Sequence, residues 1–252
     1  MRAFGLLGWW GHAGWDRWIR ILPDGCADLI AREGRLVVVL PASGVRRIRL
    51  HGADRPIGLR VRCGTAGALL GYDLTELADL AGPTGEIDIA ELSGEPARAA
   101  RAVLGAGGSA HPDAPAELVR ARLRAGPRPD PVVLHAVRLL RAPGGRVDRV
   151  ADEVGLTPRT LHRRVSAEVG FGPKRLHRVF RFQRFLAALP TLARGRVGLA
   201  ELAAELGYAD QAHLGRDCLG LADASPARLV ASWSRGSRGH PTPHEPEVSE
   251  TF

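Results

Sequence analysis

Residues 146–165 read RVDRVADEVGLTPRTLHRRV, and this stretch predicts two short amphipathic helices joined by a glycine turn. The apolar face of the first helix consists of Val150, Ala151 and Val154, and alanine is small enough to allow close packing against a neighbour. Gly155 then supplies the positive φ angle that ends a helix. These residues therefore predict the first helix and the turn of a helix-turn-helix.

The residues after the turn predict the second helix. Thr157 is placed as its N-cap and Pro158 as its first residue, while Leu161 and Val165 point inward at a spacing of i and i+4. The residues outside this buried stripe are Arg159, His162, Arg163 and Arg164. A helix with such a row suits the major groove of DNA, because arginine bridges guanine O6 and N7 and other cations hold phosphate. A solvated cationic face is the alternative interpretation.

A second copy of the pattern, GLAELAAELGYADQAHLGRDC, occupies residues 198–218. The offset is 52 residues at the glycine turn, where Gly155 maps to Gly207, and 53 after it, where Val165 maps to Cys218. The other aligned pairs are Ala151 with Ala203, Leu161 with Leu214, Arg163 with Arg216, Pro173 with Pro226 and Leu176 with Leu229. Such repetition indicates two copies of one structural unit.

Two such units, joined by a long helix and ending in GYADQAH and then ASPARL, resemble the DNA-binding domain of the AraC/XylS family of transcription regulators over residues 132–232. The resemblance implies that the second helix of each unit reads one of two adjacent major-groove segments. The candidate DNA-binding residues are Thr157, Arg159, Thr160, His162, Arg163 and Arg164 in the first unit, and Asp210, Gln211, Ala212, His213 and Arg216 in the second. For the two histidines, a solvated surface position is the alternative.

The second unit departs from the family pattern. Leu214 and Cys218 stand where the family usually has phenylalanines, and Asp223 stands where a glycine usually precedes Ser-Pro. Gly215 in mid-helix costs about 1 kcal/mol relative to alanine. We therefore expect the second unit to be the less stable one. Two roles remain open for this unit, which either reads bases or mainly holds the DNA backbone. Gly215 is compatible with a close approach of the helix to DNA.

The charge of the chain is concentrated in the part that holds the repeat. Residues 132–235 carry 17 basic and 9 acidic side chains, a net charge of +8, whereas residues 1–131 carry a net charge of +2 and residues 236–252 a net charge of −2. This distribution is typical of a module that binds phosphate. At 252 residues, the chain is long enough for two domains.

Between residues 17 and 62 the pattern changes to short strands separated by turns, at 17–22, 26–31, 35–40, 45–50 and 57–62. This spacing predicts an antiparallel sheet or a small barrel. The segments LPDGCADLI and CGTAGALLG also resemble the truncated cupin-like amino-terminal domain of a subset of AraC-like regulators. The fold class is therefore α+β: an antiparallel β domain with following helices, then an all-α domain of two helix-turn-helix units joined by a long helix.

Helical patterns follow at 74–81, 87–94, 95–105, 112–123 and 132–140, and the connecting helix is placed at 173–189, ended by Pro190. Its Leu176, Phe180, Phe185 and Leu189 are available to pack both units, which would set the recognition helices about 34 Å apart. The proline-rich segment 126–131 is the predicted linker. It separates a sensory or dimerisation domain (1–125) from the DNA-binding domain (132–235), and 236–252 is predicted to be a disordered tail.

Several classes of protein and site are disfavoured. The opening residues lack a clean cleavage site, and no apolar run is long enough for a membrane span, so we expect neither a signal peptide nor a membrane location. Cys26, Cys63 and Cys218 lack metal-type spacing, and we favour buried structural thiols over a metal site or a thiol sensor with His51. We therefore expect no metal, no cofactor and a reducing cytoplasm.

A candidate effector pocket contains the side chains Trp10, Trp15, Trp18 and Cys26 in the β domain. Because large aromatic side chains usually fill cores, we favour core packing and a dimer patch for the tryptophans.

The sequence thus predicts a transcription regulator and not an enzyme. Its partners would be double-stranded DNA and a small-molecule effector, with RNA polymerase a candidate partner and a homodimer or a monomer as the oligomeric state. One alternative is a constitutive DNA-binding protein whose amino-terminal half only dimerises. The other, a thiol-dependent enzyme, is disfavoured because no nucleophile–base pair is recognisable.

Overall fold

A computed structural model describes residues 6–10, 16–51, 56–105, 109–126 and 128–236. Trp15 and the predicted disordered tail after residue 236 lie outside the described residues. The chain has a β-rich amino-terminal half followed by an all-helical carboxyl-terminal half, so the predicted α+β class is confirmed. In the described part of the chain, no helix is both long enough and apolar enough to cross a membrane.

The strands are β1 (Leu7–Trp10), β2 (Arg17–Ile21), β3 (Ala27–Arg32), β4 (Arg35–Val39), β5 (Arg46–Leu50), β6 (Ile57–Val61) and β7 (Glu86–Asp88). Five of them form an antiparallel sheet in the order β1-β6-β3-β4-β7, and β2 pairs with β5 in a separate two-stranded ribbon. The five predicted strands, β2 to β6, are confirmed. Their regular turn spacing made them recognisable.

The predicted helix at residues 87–94 is wrong. Here the chain forms β7 and then a single 3-10 turn, Ile89–Glu91, which Asp88 caps by accepting a hydrogen bond from the amide of Ala90. Ile87 pairs with Val38 of β4 at the edge of the sheet. This long-range pairing overrides the local helical pattern.

The α-helices in the described part of the amino-terminal half are α1 (Ala66–Leu70), α2 (Leu74–Ala81), α3 (Gly94–Leu104) and α4 (Ala114–Arg124). They pack with the five-stranded sheet around one apolar core. Its most deeply buried side chains include Leu29, Leu36, Val61, Leu69, Leu74 and Leu118.

The carboxyl-terminal half contains α5 (Pro131–Arg141), α6 (Val147–Glu153), α7 (Pro158–Val169), α8 (Pro173–Ala187), α9 (Leu189–Ala193), α10 (Leu199–Glu205), α11 (Gln211–Ala222) and α12 (Pro226–Gly236). The connecting helix is α8. Contrary to expectation, Pro190 does not end this helix but lies in the first turn of α9, where the missing amide hydrogen of proline costs nothing.

Helix α8 joins two separate apolar cores. Leu176 and Phe180 of α8 lie in the core of the first unit. Phe185 of α8 and Leu189, the first residue of α9, lie in the core of the second. The prediction that this segment packs both units is therefore confirmed. Phe182, which is fully buried in the second core, adds to the same packing.

The two halves of the molecule are in direct contact. Cys63, from the end of the sheet, is buried in the core of the first helix-turn-helix unit. The carboxylate of Glu168 in α7 accepts a hydrogen bond from the amide of Ala68 at 2.9 Å, and Gln183 in α8 donates one to the carbonyl of Pro23 at 2.6 Å. The β-rich half is thus packed against the helices that carry the repeat.

Candidate nucleic-acid interface

Both helix-turn-helix units have the same turn. Gly155 and Gly207 adopt left-handed φ angles of 66° and 77°, which a side chain would strain. The residue after each glycine, Leu156 or Tyr208, donates its amide to the carbonyl five residues earlier at 2.9 Å in both units. This hydrogen bond closes the preceding helix and directs the chain into the next one.

The packing of the two units also repeats. The aligned residues are buried to the same degree, with 0 % exposure at Ala151 and Ala203, Leu161 and Leu214, and Val165 and Cys218. Pro173 and Pro226 each begin the helix that follows a unit, α8 and α12. The sequence repeat is therefore a structural repeat, as predicted.

A polar side chain caps the start of each recognition helix, α7 and α11. The hydroxyl of Thr157 accepts a hydrogen bond from the amide of Thr160 at 3.2 Å. In α11, the carboxylate of Asp210 accepts one from the amide of His213 at 2.5 Å. Thr157 and Asp210 thus hold the first turns of their helices in place.

The exposed side of α7 presents Arg159, His162 and Arg163 to solvent. Arg164 instead lies half-buried on the inner side, where its guanidinium group contacts the carboxylate of Asp130 at 2.5 and 2.7 Å. Of these four candidates on α7, three therefore share one open surface and the fourth joins the helix to the start of α5.

The exposed side of α11 presents Gln211, Ala212 and Arg216, with Gly215 half-exposed between them. His213 is half-buried and packs edge-on against the ring of Tyr208, with ring centroids 5.2 Å apart. The two recognition helices thus both leave one side open, although Ala212 stands on α11 at the position of Arg159 on α7. Their arginines Arg163 and Arg216 are at aligned positions.

A buried ionic network holds α11, and sequence reasoning missed it. Asp217, whose side chain is 6 % exposed, accepts hydrogen bonds from Arg178 at 2.6 Å and from Arg181 at 2.9 Å. Arg181 also donates to the carbonyl of Gly207 at 3.2 Å and lies over the ring of Tyr208 at 4.0 Å. One arginine of α8 therefore fixes both the turn and the recognition helix of the second unit.

The signal for this network was present in the sequence. Asp217 lies three residues after Leu214 and one before Cys218, so helical spacing turns it towards the core. A carboxylate in such a place requires a cationic partner. Its aligned residue in the first unit is Arg164, which is itself ion-paired.

The structure places the candidate effector residues in different surroundings. Trp18 on β2 is 70 % exposed, so the favoured interpretation of core packing is wrong for this tryptophan. Cys26 is half-buried against the core of the first unit. Of Trp10 only the backbone is described, as the last residue of β1. A shallow cleft elsewhere is lined by residues 41–46 with Gly82 and Gly85, and it contains none of these candidates.

The cysteines are in apolar surroundings. Burial is the largest cause that raises the pKa of Cys26, to about 12, and burial also raises the pKa of Cys63. Both side chains are therefore thiols at neutral pH. Within the described residues, no group of three histidine, cysteine or acidic side chains is arranged to hold a metal ion.

Comparison with known proteins agrees with this geometry for the carboxyl-terminal half. A family model described as a helix-turn-helix domain matches residues 150–232. No curated protein matches the sequence.

A search of solved structures finds similarity to the carboxyl-terminal domain of AraT, a response regulator from Geobacillus stearothermophilus. The identity is 16 % and the TM-score 0.37, and the match covers 48 % of this chain and 96 % of that one. ToxT from Vibrio cholerae O395 is similar at 8 % identity and a TM-score of 0.40, covering 92 % and 98 %. An unsaturated fatty acid-bound ToxT from strain SCE256 has 8 % identity and a TM-score of 0.39, covering 89 % and 94 %. Residues 150–232 of this chain are a helix-turn-helix domain, a kind of domain that places its second helix in the major groove of DNA.

Proposed function

We propose that this protein regulates transcription by binding both recognition helices, α7 and α11, to successive major-groove segments of one DNA duplex. The observation that carries the proposal is that each recognition helix exposes an arginine at the aligned position, Arg163 or Arg216, while α8 joins the cores of the two units. A common rigid connector favours simultaneous binding, because the second unit then binds at a high effective concentration.

In this proposal the exposed side chains read the bases. Arg159, Arg163 and Arg216 have the donor geometry for guanine, and Gln211 has the geometry for adenine. His162 lies on the same surface as the two arginines of α7 and is placed to contact a base edge or a phosphate.

Other candidate residues act through these side chains. The residues that hold the recognition helices in position are Thr157, Thr160, Arg164, Asp210 and His213, each of which has a capping, ionic or packing contact within the protein. Ala212 has no polar group, so its methyl group offers only apolar contact, as to a thymine methyl.

Selection of bound sequences from random duplexes, with the full-length chain, tests the proposal. We expect two conserved half-sites about one helical turn apart. Arg163→Ala should weaken protection of one half-site and Arg216→Ala protection of the other. Arg98→Ala, an exposed arginine of α3, is the matched control. A chain that enriches no sequence, or whose binding is insensitive to salt, would overturn the proposal, because binding to phosphates is always salt-dependent.

We further propose that a small molecule bound to the amino-terminal half changes DNA binding. The direct packing between the halves supports this, since a ligand that shifts the β-rich half would also shift α7. Such regulation requires that the effector bind two states differently. The alternative is a constitutive regulator whose amino-terminal half only dimerises.

Gly67 offers a test of coupling between the halves. A Cβ atom here would lie 2.6 Å from the carbonyl oxygen of Ala167 in α7, so Gly67→Ala must displace α1 or α7. If the halves are coupled, this variant changes DNA affinity, whereas Gly8→Ala, whose added carbon makes an ordinary contact with Leu59, does not. Equal affinities in folded variants would favour the constitutive alternative. Sedimentation distinguishes monomer from homodimer, and co-purification tests RNA polymerase as a partner.

A further inference from the structure

The two-stranded ribbon of β2 and β5 has one strongly basic face. In its register Trp18 is opposite Arg49 and Arg20 is opposite Arg47. Opposite residues, and residues two apart on a strand, share a face of the ribbon, so these four side chains lie together. Trp18 is 70 % exposed, and the side chains of Arg47 and Arg49 are 59 % and 53 % exposed.

This face of the ribbon lies against the carboxyl-terminal end of α11. Arg47 is ion-paired with Asp223, the residue that ends the helix, and Arg20 donates a hydrogen bond to the carbonyl of Ala222 at 3.4 Å. The loop before β5 also approaches the helix, since a Cβ atom on Gly44 would be 3.5 Å from the carbonyl oxygen of Gly220.

The open surface of α11 leads directly to the ribbon. Ala212 and Arg216 are four residues apart, and Asp223 follows seven residues later, so all three lie on one side of the helix. The distance from Ala212 to Asp223 along the axis is about 16 Å at 1.5 Å per residue. The major groove is only about 12 Å wide. A helix that places its first turns in the groove therefore brings the ribbon to the phosphate wall of that groove.

We propose that the β2–β5 ribbon is a third DNA-binding surface, which holds the phosphate backbone beside the groove read by α11. Arg47 and Arg49 are the proposed phosphate contacts. The inference rests on the proposed function, because it takes the orientation of the duplex from α11.

The charges on the ribbon favour this partner. Arg47 is paired with Asp223 and Arg49 with Asp16, but both pairs are exposed. Exposed ion pairs contribute little stability, so a phosphate can replace the carboxylate as the partner of either arginine. A duplex presents a dense row of such phosphates. A second copy of the chain that covered Trp18 instead would stand beside α11, where the duplex has to lie.

The test measures salt dependence with the full-length chain and the duplex selected above. Arg47→Gln and Arg49→Gln are each compared with wild type and with the control Arg98→Gln. Log affinity falls linearly with log salt, and each lost phosphate contact should make this fall shallower by about 0.9 in slope. Between about 50 and 200 mM salt, affinity should therefore fall about threefold less than for wild type, while base preference stays unchanged. Ethylation interference should disappear at phosphates just outside the half-site of α11.

A second variant separates phosphate binding from the contact between the halves. Arg47→Gln removes both the proposed phosphate contact and the pair with Asp223, whereas Asp223→Asn removes only the pair and keeps Arg47. We expect Asp223→Asn to bind DNA at least as tightly as wild type with an unreduced salt slope. If it reproduced the loss of Arg47→Gln, the arginine would act through the interface and the proposal would be wrong.

Three further outcomes would overturn it. Ribbon variants with the salt slope of Arg98→Gln would show that the ribbon does not touch DNA. If Arg49→Gln bound DNA more tightly than wild type, the ribbon would hinder binding. If a ribbon variant changed the sedimentation coefficient but not the salt dependence of DNA binding, the ribbon would be an interface between two copies of the chain. A wild-type chain that binds no duplex would instead refute the proposed function itself.

Discussion

Arg164 and Asp217 occupy the same position in the two recognition helices, 53 residues apart, and each is ion-paired to the segment that precedes its unit. Arg164 contacts Asp130, the N-cap of α5, at 2.5 Å. Asp217 contacts Arg178 and Arg181 of α8 at 2.6 and 2.9 Å. The recognition helix carries the arginine in the first unit and the carboxylate in the second, but the ion pair has the same structural role in both. Each recognition helix is held to a preceding helix, and its outer side stays open.

Asp217→Ala should destabilise the second unit strongly. Its removal leaves the inward-facing guanidinium of Arg181 without a carboxylate, and breaking a buried pair costs about 3 kcal/mol or more. Urea denaturation followed by circular dichroism measures the loss. The exposed Asp223 is the matched control, and Asp223→Asn, which removes the charge but suits the left-handed backbone at this position, should cost under about 1 kcal/mol. Similar losses for both variants would contradict the role assigned to the buried network.

Arg163→Ala should lower affinity for the selected duplex by about 1 to 3 kcal/mol and relax base preference at one position. Its neighbour Arg164 is the matched comparison, because the Arg164 side chain contacts Asp130 rather than solvent. Arg164→Ala should lower the free energy of unfolding by about 1 kcal/mol and weaken binding to all sequences alike. Affinities on selected and scrambled duplexes distinguish the two patterns. A uniform loss for Arg163→Ala would assign that arginine to the phosphate backbone.

The stability that Thr157 and Asp210 contribute as N-caps should depend on a hydrogen-bond acceptor at each position and not on its charge. Thr157→Ala and Asp210→Ala should each cost about 1 kcal/mol of stability, because an amide in the first turn loses its acceptor. Thr157→Ser and Asp210→Asn keep an acceptor and should retain most of that stability. Thermal denaturation provides the measurement. If the conservative variants lost as much stability as the alanine variants, capping would not be the role of these side chains.

Gly215→Ala should stabilise α11 by up to about 1 kcal/mol, since a methyl group here meets no protein atom and alanine favours the helix. Gly220→Ala is the control on the same helix. Its methyl group would meet the guanidinium of Arg178, which holds Asp217, so we expect no gain there. Denaturation midpoints decide between them. DNA affinity of Gly215→Ala, measured in parallel, should fall if the duplex approaches this part of the helix closely.

His177 in α8 should make stability depend on pH. Burial is the largest cause that lowers the pKa of His177, and the nearby cations Arg181 and Arg184 lower it further. The folded chain therefore favours the neutral ring, so stability is full above the ordinary pKa of about 6.5 and falls as pH drops below it, where the unfolded chain takes up the proton first. His177→Gln should reduce this fall between about pH 7.5 and 5.5. Parallel stability curves for wild type and variant would exclude this contribution.

The amino-acid sequence by itself determined both helix-turn-helix units, down to the turn glycines and the Thr157 cap. These features are local: helical spacing, a left-handed residue and a capping side chain act within a few residues of one another. The repeat then strengthened the prediction of each unit. The same pattern recurs after 52 residues, at Gly155 and Gly207, so each copy supports the identification of the other.

Only the tertiary structure decided which side chains those local patterns leave open. Arg163 and Arg164 are adjacent in sequence, yet one faces solvent and the other meets Asp130, because the crossing of α5 and α7 determines the inner side. Strand β7 and the placement of the ribbon beside Asp223 depend on partners far away in the chain. Contacts of this kind are fixed by the packing of whole elements, and no short stretch of sequence contains that information.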